Sequence, residues 1–231
     1  MISVWAIGIV LLSGCLKDDD YEGYQVSAVR ALNAVPGSES LDIGLDQNQL
    51  NFDNYTGLVE AFAYGDTLVY KNAWPGNRLV RVFEEARSWS GPPLAKKNVT
   101  FLPGKFYSLY VAGKEDDIDV IYTEDDLTAP DEGQAKLRFI HLSPDAPSLD
   151  MGIEGMDTLL ATDKAFAEVS EFVSIPTQLH AFRVMRHGSD EMLHRFEFEP
   201  KNGMIYTIWA KGLLENGTDE TKAFGHGVIT H

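Results

Sequence analysis

The sequence predicts an all-β protein built from two tandem antiparallel β-sandwiches of the immunoglobulin or transthyretin type, with about seven strands each. Short runs of alternating or β-branched and aromatic residues recur along the chain, and turns rich in Gly, Pro, Asn and Asp separate them. No segment carries a 3.6-residue apolar period of helical length. A stretch of the first half also recurs about a hundred residues later. A partly closed barrel is the alternative architecture.

The repeat is clearest where residues 29–46 align without a gap on residues 137–154. Six of the eighteen positions are identical: Arg30/Arg138, Pro36/Pro144, Ser40/Ser148, Leu41/Leu149, Asp42/Asp150 and Gly44/Gly152. A period near 100 residues is too long for a solenoid and indicates domain duplication. We therefore expect a first domain over residues 25–127, a polar linker over 128–133 and a second domain over 134–231.

The predicted strands follow the same scheme in both copies. In the first copy they cover residues 29–34, 41–45, 67–70, 78–83, 99–101, 106–112 and 118–122. In the second copy they cover residues 135–142, 149–153, 166–175, 180–186, 193–198, 204–211 and 227–230. Their density, without the spacing of βαβ units, favours antiparallel sandwiches.

The N-terminus carries the most specific targeting signal. Residues 2–12 are apolar or small, like the central region of a secretory signal, and too few to span a bilayer. They lead into Leu-Ser-Gly-Cys15, which resembles a bacterial lipobox and contains the chain's one cysteine. The resemblance implies that residues 1–14 are a signal peptide and that Cys15 is acylated. No basic residue precedes the apolar run, and the alternative is a buried N-terminal strand, which the charged residues from Lys17 onward disfavour.

Lys17, Asp18 and Asp19 follow the cysteine and resemble the export tag of surface lipoproteins in some Gram-negative bacteria. We therefore expect residues 15–24 to be an acidic tether. The protein would then be lipid-anchored in the outer membrane and exposed at the cell surface, with the membrane as a partner through its acyl chains. A plain solvated tether and the periplasmic leaflet are the alternatives.

Net charge narrows the classes of partner. The chain carries a formal charge of −16, which repels nucleic acid phosphates, so no nucleic acid partner is expected. With Cys15 acylated, no thiol is left for a disulfide, a zinc site or nucleophilic catalysis. No cofactor is expected.

The hairpin at the start of the second copy resembles the opening signature of a bacterial family, domain of unknown function 4397. The signature reads R-x-x-H-x-S-P-D-x-P-x-x-D, and the second copy supplies it with Arg138, His141, Ser143, Pro144, Asp145, Pro147 and Asp150, with Gly152 just beyond. The resemblance implies a secreted or lipid-anchored β-sandwich, often in tandem copies, without established activity. The first copy has Asn33, Val35, Gly37 and Glu39 in place of the histidine, serine, second aspartate and second proline.

The positions that both copies share are those that shape backbone, so we predict a structural role for the signature. Asp150 is expected to accept turn amides or to meet Arg138 across the hairpin. His141 and Ser143 stand two residues apart and could form a base–nucleophile pair, but no third group to orient the histidine is evident. We assign no catalytic residue, and ligand or ion contact is the alternative.

Neither the histidines nor the acidic clusters predict a metal site. His180, His187 and His194 are seven residues apart, and a seven-residue step along a strand alternates faces. The clusters at 115–117 and 124–126 lack the spacing of calcium loops.

Two tryptophans are the candidate ligand contacts. Trp74 and Trp89 lie in Pro- and Gly-containing loops, where an exposed indole can hold a sugar ring or plug the end of a sandwich. Tyr110 and Trp209 are expected on the outer faces of matched strands, at a contact between domains or with a partner. The sequence thus favours a non-enzymatic structural or adhesive surface protein. An accessory glycan-binding lipoprotein that feeds polysaccharide uptake is second, and a hydrolase is third.

Overall fold

The computed structural model describes residues 25–85, 91–215 and 218–231. It confirms the all-β prediction: those residues form eighteen strands and a single 3₁₀ turn at Glu220–Lys222. The predicted signal peptide, Cys15, the export tag at residues 17–19 and Trp89 lie outside the described residues. Within the described part of the chain, no helix is long and apolar enough to cross a membrane.

The N-terminal half contains ten strands. They are β1 (Ser27–Asn33), β2 (Leu41–Leu45), β3 (Asn48–Gln49), β4 (Phe52–Asp53), β5 (Leu58–Val59), β6 (Thr67–Ala73), β7 (Gly76–Glu84), β8 (Ala95–Phe101), β9 (Phe106–Lys114) and β10 (Asp117–Asp125). They form a sheet in the order β10-β9-β1-β6, a second in the order β3-β2-β7-β8, and the small β4–β5 hairpin.

The C-terminal half contains eight strands. They are β11 (Gln134–His141), β12 (Leu149–Ile153), β13 (Leu159–Lys164), β14 (Val173–Pro176), β15 (His180–Arg186), β16 (Met192–Phe198), β17 (Ile205–Lys211) and β18 (Gly225–Thr230). Their two sheets run β14-β11-β17-β18 and β13-β12-β15-β16. The strand order of the N-terminal half therefore recurs, with β1 in the place of β11 and β9 in that of β17.

One sheet of each half departs from the antiparallel prediction. Strands β1 and β9 pair in parallel, and so do β11 and β17, whereas the other strand pairs are antiparallel. The parallel pairs join the first strand of each half to a late one, so the chain crosses to the other sheet and back between them.

Each half encloses a core between its two sheets. Phe62, Phe101 and Leu109 are fully buried in the first core, and Phe139 and Phe182 in the second. Burial of each such side chain contributes about 1.5–3 kcal/mol. These cores explain why the residues on the inward face of the central strands are apolar.

A third cluster joins the halves. The outer faces of the parallel pairs β1/β9 and β11/β17 pack together through Leu32, Tyr110, Ile140 and Trp209. Strands β9 and β17 are consequently buried on both faces along most of their length. This explains why their sequences are nearly continuous apolar runs instead of alternating ones.

The predicted strand over residues 166–175 is wrong over most of its length. Only its end is extended, as part of β14, and the segment from 165 to 172 between β13 and β14 is irregular. Ala167 adopts a positive φ angle of 71°, which is incompatible with a continuous strand there despite the β-branched and aromatic composition. The two-residue strands β3, β4 and β5 are too short for an alternating pattern to predict, and β13 was not predicted either.

Both halves point the same way. We call the end where β1 and β11 begin the near end, and it includes the turns at 74–75, 102–105, 154–158, 177–179 and 199–204. The far end carries the turns at 34–40, 115–116, 142–148, 187–191 and 212–224. Asp125 and His231 meet towards the near end, and the Lys222 side chain packs against Gly37 at the far end.

Candidate functional site

The signature histidine is a buried structural link. His141 ends β11 with no exposed surface, and its Nδ1 accepts the backbone N–H of Ser143 at 3.2 Å. Because a backbone N–H can only donate, the proton sits on Nε2, which donates to the Pro147 carbonyl at 3.0 Å. Burial lowers the pKa of His141 and keeps the ring neutral. Both ring nitrogens are therefore used inside the turn.

The serine hydroxyl points away from the histidine. Ser143 is also fully buried, and its Oγ donates to the Gly212 carbonyl at 2.7 Å. A base–nucleophile pair requires the hydroxyl to bond the imidazole, but only the serine backbone does so here. The carboxylate of Asp145 accepts the N–H groups of Leu214 and Glu215 at 2.9 and 3.0 Å. Together the two side chains hold the segment that follows β17.

In the first half, Asn33 performs the same task as His141. Its Oδ1 accepts the N–H of Val35 at 3.0 Å, and its Nδ2 donates to the Phe62 carbonyl at 2.8 Å. The bond again runs to the backbone two residues ahead. Val35, in the place of Ser143, is a fully buried core residue. The missing signature residues thus leave the turn intact.

The signature prolines occupy the second position of matching β-turns. Ser38 donates to the Val35 carbonyl at 3.1 Å around Pro36, and Ala146 donates to the Ser143 carbonyl at 3.3 Å around Pro144. Gly37 has φ +80°, the third-position angle of a type II turn that favours glycine. Its counterpart Asp145 does not have positive φ, as in a type I turn. Turn type therefore accounts for the Gly/Asp difference.

The signature aspartate of each half accepts hydrogen bonds within the second sheet of that half. Asp42 accepts the side-chain amides of Gln49 and Asn51 at 2.9 and 3.1 Å. Asp150 accepts the Asp163 N–H at 2.7 Å and lies 3.0 Å from His187 Nδ1.

The expected pairing of Asp150 with Arg138 is not observed, because the two side chains lie in different sheets. The hydrogen bond that Asp150 accepts from His187 Nδ1 instead raises the pKa of His187.

The glycines and Pro147 complete the signature. A Cβ on Gly152 would lie 2.9 Å from Leu159 Cδ2, so glycine lets β13 approach closely. Gly44 faces Gln49 of β3 at the matching place. Pro147 contributes its carbonyl to His141, a contact for which Glu39 in the first half has no described equivalent.

The two signature arginines lie at the contact between the halves, and their bonds are reciprocal. Arg30 donates from Nη1 to the Thr230 carbonyl at 2.7 Å, and Arg138 donates from Nη1 to the Glu124 carbonyl at 3.0 Å. Glu124 pairs with a tyrosine of β9 and Thr230 with the matching tyrosine of β17, so the two acceptors are equivalent. Such reciprocity is the mark of a two-fold interface.

Among the described residues, Arg138 makes an ion pair and Arg30 makes none. Its Nη2 donates to Asp125, and both side chains are almost completely buried. The same Nη2 lies 3.0 Å from the Tyr110 hydroxyl. Each arginine also lies over an aromatic ring: Arg30 is 5.2 Å from the centroid of Tyr70 and Arg138 is 4.5 Å from that of Phe172.

A closed polar network surrounds this ion pair. Tyr70 donates its hydroxyl to Asp125 at 2.6 Å, so its oxygen accepts from His231 Nδ1 at 2.8 Å. His231 Nε2 then accepts from the Thr207 hydroxyl at 2.7 Å, and Arg138 Nε donates to that oxygen at 3.0 Å. Burial lowers the pKa of His231 to about 4, and burial beside Asp125 raises that of Tyr70.

The other histidines are dispersed. His180 contacts the Pro176 carbonyl, His187 contacts Asp150, and His194 lies 2.9 Å from His226. Within the described residues, no group of three or more His, Cys, Asp or Glu side chains is placed to hold a metal ion.

The described tryptophans differ in exposure. Trp74, in the β6–β7 turn, is 62 % exposed, and its carbonyl is held by Arg78 Nε at 2.8 Å. It does not plug the core. Trp209 is buried at the contact between halves, as Tyr110 is.

Sequence reasoning missed the polar network. Asp125 and His231 sit in unlike sequence contexts, so only the register of β10 and β18 shows that they are equivalent. A usable signal was present in the identical arginines, which lie on strands otherwise buried on both faces.

Comparison with known proteins gives one family match. Residues 27–152, more than half of the chain, match the profile of the family described as "Domain of unknown function (DUF4397)". The match runs from β1 through the signature hairpin β11–β12. No curated protein matches the chain.

Several solved structures show weak likeness. The C-terminal domain of AlgF from P. aeruginosa is 17 % identical over 44 % of this chain and 99 % of its own, with a TM-score of 0.27. A streptococcal virulence factor that binds alpha-glucan is 12 % identical over 81 % and 92 %, with a TM-score of 0.26. A family 26 carbohydrate-binding module from Eubacterium rectale Amy13K is 8 % identical over 89 % and 96 %, with a TM-score of 0.27. Likeness this low carries no argument about binding.

Proposed function

The chain belongs to the DUF4397 family, and from that premise we propose that it is a non-enzymatic, lipid-anchored surface protein with a structural or adhesive role. The observation that carries the proposal is that the signature side chains make their hydrogen bonds inside the fold. His141 and Ser143 are sealed, and each bonds backbone. The signature therefore builds a turn and presents no reactive group.

The test of that role is a serine substitution. Ser143→Ala leaves the buried Gly212 carbonyl without its donor and should lower the free energy of unfolding by about 1–3 kcal/mol. We expect neither the wild type nor the variant to hydrolyse a panel of ester, amide and glycoside substrates. A hydrolytic activity in the wild type that Ser143→Ala abolishes, with the fold intact by circular dichroism, would refute the proposal.

The anchor is supported by the lipobox-like Leu-Ser-Gly-Cys15 and is tested separately. Palmitate labelling and mass spectrometry should find acyl chains on Cys15 in the wild type and none in Cys15→Ser. Replacing Lys17, Asp18 and Asp19 by alanine should reduce protease accessibility on intact cells without removing the acyl chains. An intact Met1 in a soluble fraction would contradict the anchor.

Accessory glycan binding is the second candidate, and the exposed indole of Trp74 favours it. Affinity electrophoresis in polysaccharide gels tests it. Retardation of the wild type that Trp74→Ala or Trp89→Ala abolishes, and that Met192→Ala leaves unchanged, would support this candidate. Retention by both tryptophan variants would exclude these positions.

A further inference from the structure

Exposed apolar side chains are distributed unevenly between the two ends of the molecule. Among the turns of the described residues, the near end carries Val26, Trp74, Leu102, Met156, Leu179 and Met204. The far-end turns carry Leu94. Two further exposed apolar residues begin strands, Met192 of β16 at the far end and Phe106 of β9 at the near end, and the others lie in the β4–β5 hairpin or within strands. Each half supplies three of the six near-end residues. The asymmetry is therefore a property of the whole molecule.

In the first half, these side chains form one group around the start of β1. Ser27 pairs with Ala73, which places Val26 and Trp74 side by side just beyond the ends of their strands. Ser27 Oγ also donates to the Leu102 carbonyl at 2.9 Å. Trp74, at 62 %, and Leu102, at 51 %, are the most exposed of the three.

The second half presents a matching group at the start of β11. The N–H of Thr177 and that of Gly203 bond the chain at residues 133 and 134, at 3.3 and 2.9 Å. These bonds bring the turns that carry Leu179 and Met204 to the same edge. Leu179 is 62 % exposed.

Charge is distributed in the opposite sense. The near-end turns carry three carboxylates, Glu154, Asp157 and Glu199, against two lysines, Lys105 and Lys201, and the linker adds Asp126, Asp131 and Glu132. The far-end turns carry nine carboxylates against the single described lysine, Lys222; they are Glu39, Glu115, Asp116, Asp145, Asp190, Glu191, Glu215, Asp219 and Glu220. An anionic surface would therefore repel the far end more strongly than the near end.

The chain also enters the fold at the near end. Residue 25, the first that the structure describes, lies ten residues after Cys15 and precedes β1 directly. Ten residues span at most about 35 Å when fully extended. An acyl chain on Cys15 would therefore hold the near end within that distance of the bilayer.

We propose that the near end is a bilayer-facing surface, and that Trp74, Leu102 and Leu179 enter the interfacial layer of the membrane that holds the acyl anchor. This inference rests on the lipidation of Cys15 proposed above. Indoles prefer the boundary between headgroups and acyl chains, and apolar contacts add a second attachment to the anchor. The acidic far end then stands away from the membrane.

Tryptophan quenching in phosphatidylcholine vesicles tests the surface. Full-length lipidated protein is reconstituted, and its fluorescence is measured with lipids brominated on the upper acyl chain. The measurement is made in a Trp89→Phe background, so that Trp74 and Trp209 are the tryptophans of the mature chain. We expect quenching that adding Trp74→Phe largely removes, because the buried Trp209 does not reach lipid. Unquenched Trp74 in vesicle-bound protein would overturn the inference. Loss of glycan retention in Trp74→Ala alongside unquenched Trp74 would assign the indole to sugar instead.

Spin labelling provides a matched comparison of the two ends. Acylated Cys15 has no free thiol, so Leu179→Cys and Met192→Cys each accept one nitroxide label. We expect oxygen to relax the label at position 179 more than a water-soluble nickel complex does, and the reverse at position 192. Equal aqueous accessibility would overturn the membrane-facing assignment.

Vesicle flotation separates the two proposals. Protein that fails to float would refute both the anchor and the surface. Protein that floats with its near-end labels in water would refute the surface alone.

Discussion

The two signature hairpins build the same turn from different residues. In the C-terminal half His141 links β11 to the backbone two residues ahead, and in the N-terminal half Asn33 makes the equivalent bond. Both place an acceptor and a donor at similar positions relative to the chain. The comparison teaches that this position requires a hydrogen-bonding shape and not an imidazole. The full signature in one half is therefore no sign of chemistry confined to that half.

The two arginines show the opposite relation, because the residues are identical but their interactions differ. Arg30 bonds a carbonyl and covers an aromatic ring, whereas Arg138 also compensates the buried charge of Asp125. The bond from each arginine to a backbone carbonyl of the opposite half is the same on both sides. The difference arises because Asp125 and His231 occupy the equivalent position in the two halves.

The largest effect is expected where this difference is removed. Arg138→Ala leaves Asp125 buried without its cation and should cost about 3–5 kcal/mol of unfolding free energy. Arg30→Ala loses one carbonyl bond and a ring contact and should cost about 1–2 kcal/mol. Urea denaturation measures both. Adding Asp125→Asn to Arg138→Ala should recover part of the loss, and equal costs for the two arginine variants would contradict the asymmetry.

Exchanging the histidine sharpens the comparison of the turns. His141→Ala leaves a buried N–H and a buried carbonyl without their hydrogen-bond partners and opens a cavity. We therefore expect the free energy of unfolding to fall by about 2–4 kcal/mol. His141→Asn restores the bond that Asn33 makes and should stay within about 1 kcal/mol of the wild type. If asparagine proves as costly as alanine in thermal or urea unfolding, the two hairpins are not equivalent.

Acidification should lower the stability of the protein through His231, which bonds residues of both halves. Its folded pKa of about 4 lies below the ordinary 6.5, so the unfolded chain binds the proton more readily as pH falls. Stability is therefore lost on acidification through the window from about 6.5 to about 4. Between pH 7 and pH 5 we expect this residue to account for about 2 kcal/mol. His231→Gln, measured by urea denaturation at both values, should lose correspondingly less than the wild type.

The smallest effect is expected for His187, and its pH dependence of stability has the opposite sign to that of His231. The bond to Asp150 raises its folded pKa, so its contribution is present below the unfolded value and disappears as pH rises through the folded one. An NMR titration should show the His187 pKa fall towards its ordinary value in Asp150→Asn. An unchanged titration would mean that the contact is not formed in solution.

Much of the fold was predictable because patterns of alternation are local. Strands β2, β12 and β15 were placed to the residue, since each lies between clear turn signals. The irregular segment between β13 and β14 was not predicted, because the positive φ of Ala167 depends on its tertiary surroundings. The signature was recognised from its residues, and of the two partners offered for Asp150, a backbone amide is present and Arg138 lies in the other sheet. Long-range pairing leaves no mark in local sequence.

Local sequence is enough to predict that the chain is all-β, that its two halves are related, and that Arg30 and Arg138 occupy equivalent positions. It is enough because side-chain periodicity and turn chemistry act between near neighbours. The burial of His141 and Ser143, the contact of each arginine with the opposite half, and the gathering of apolar turns at one end are visible in the folded structure alone. Those outcomes depend on which faces meet when the sheets pack, and packing joins residues a hundred or more positions apart.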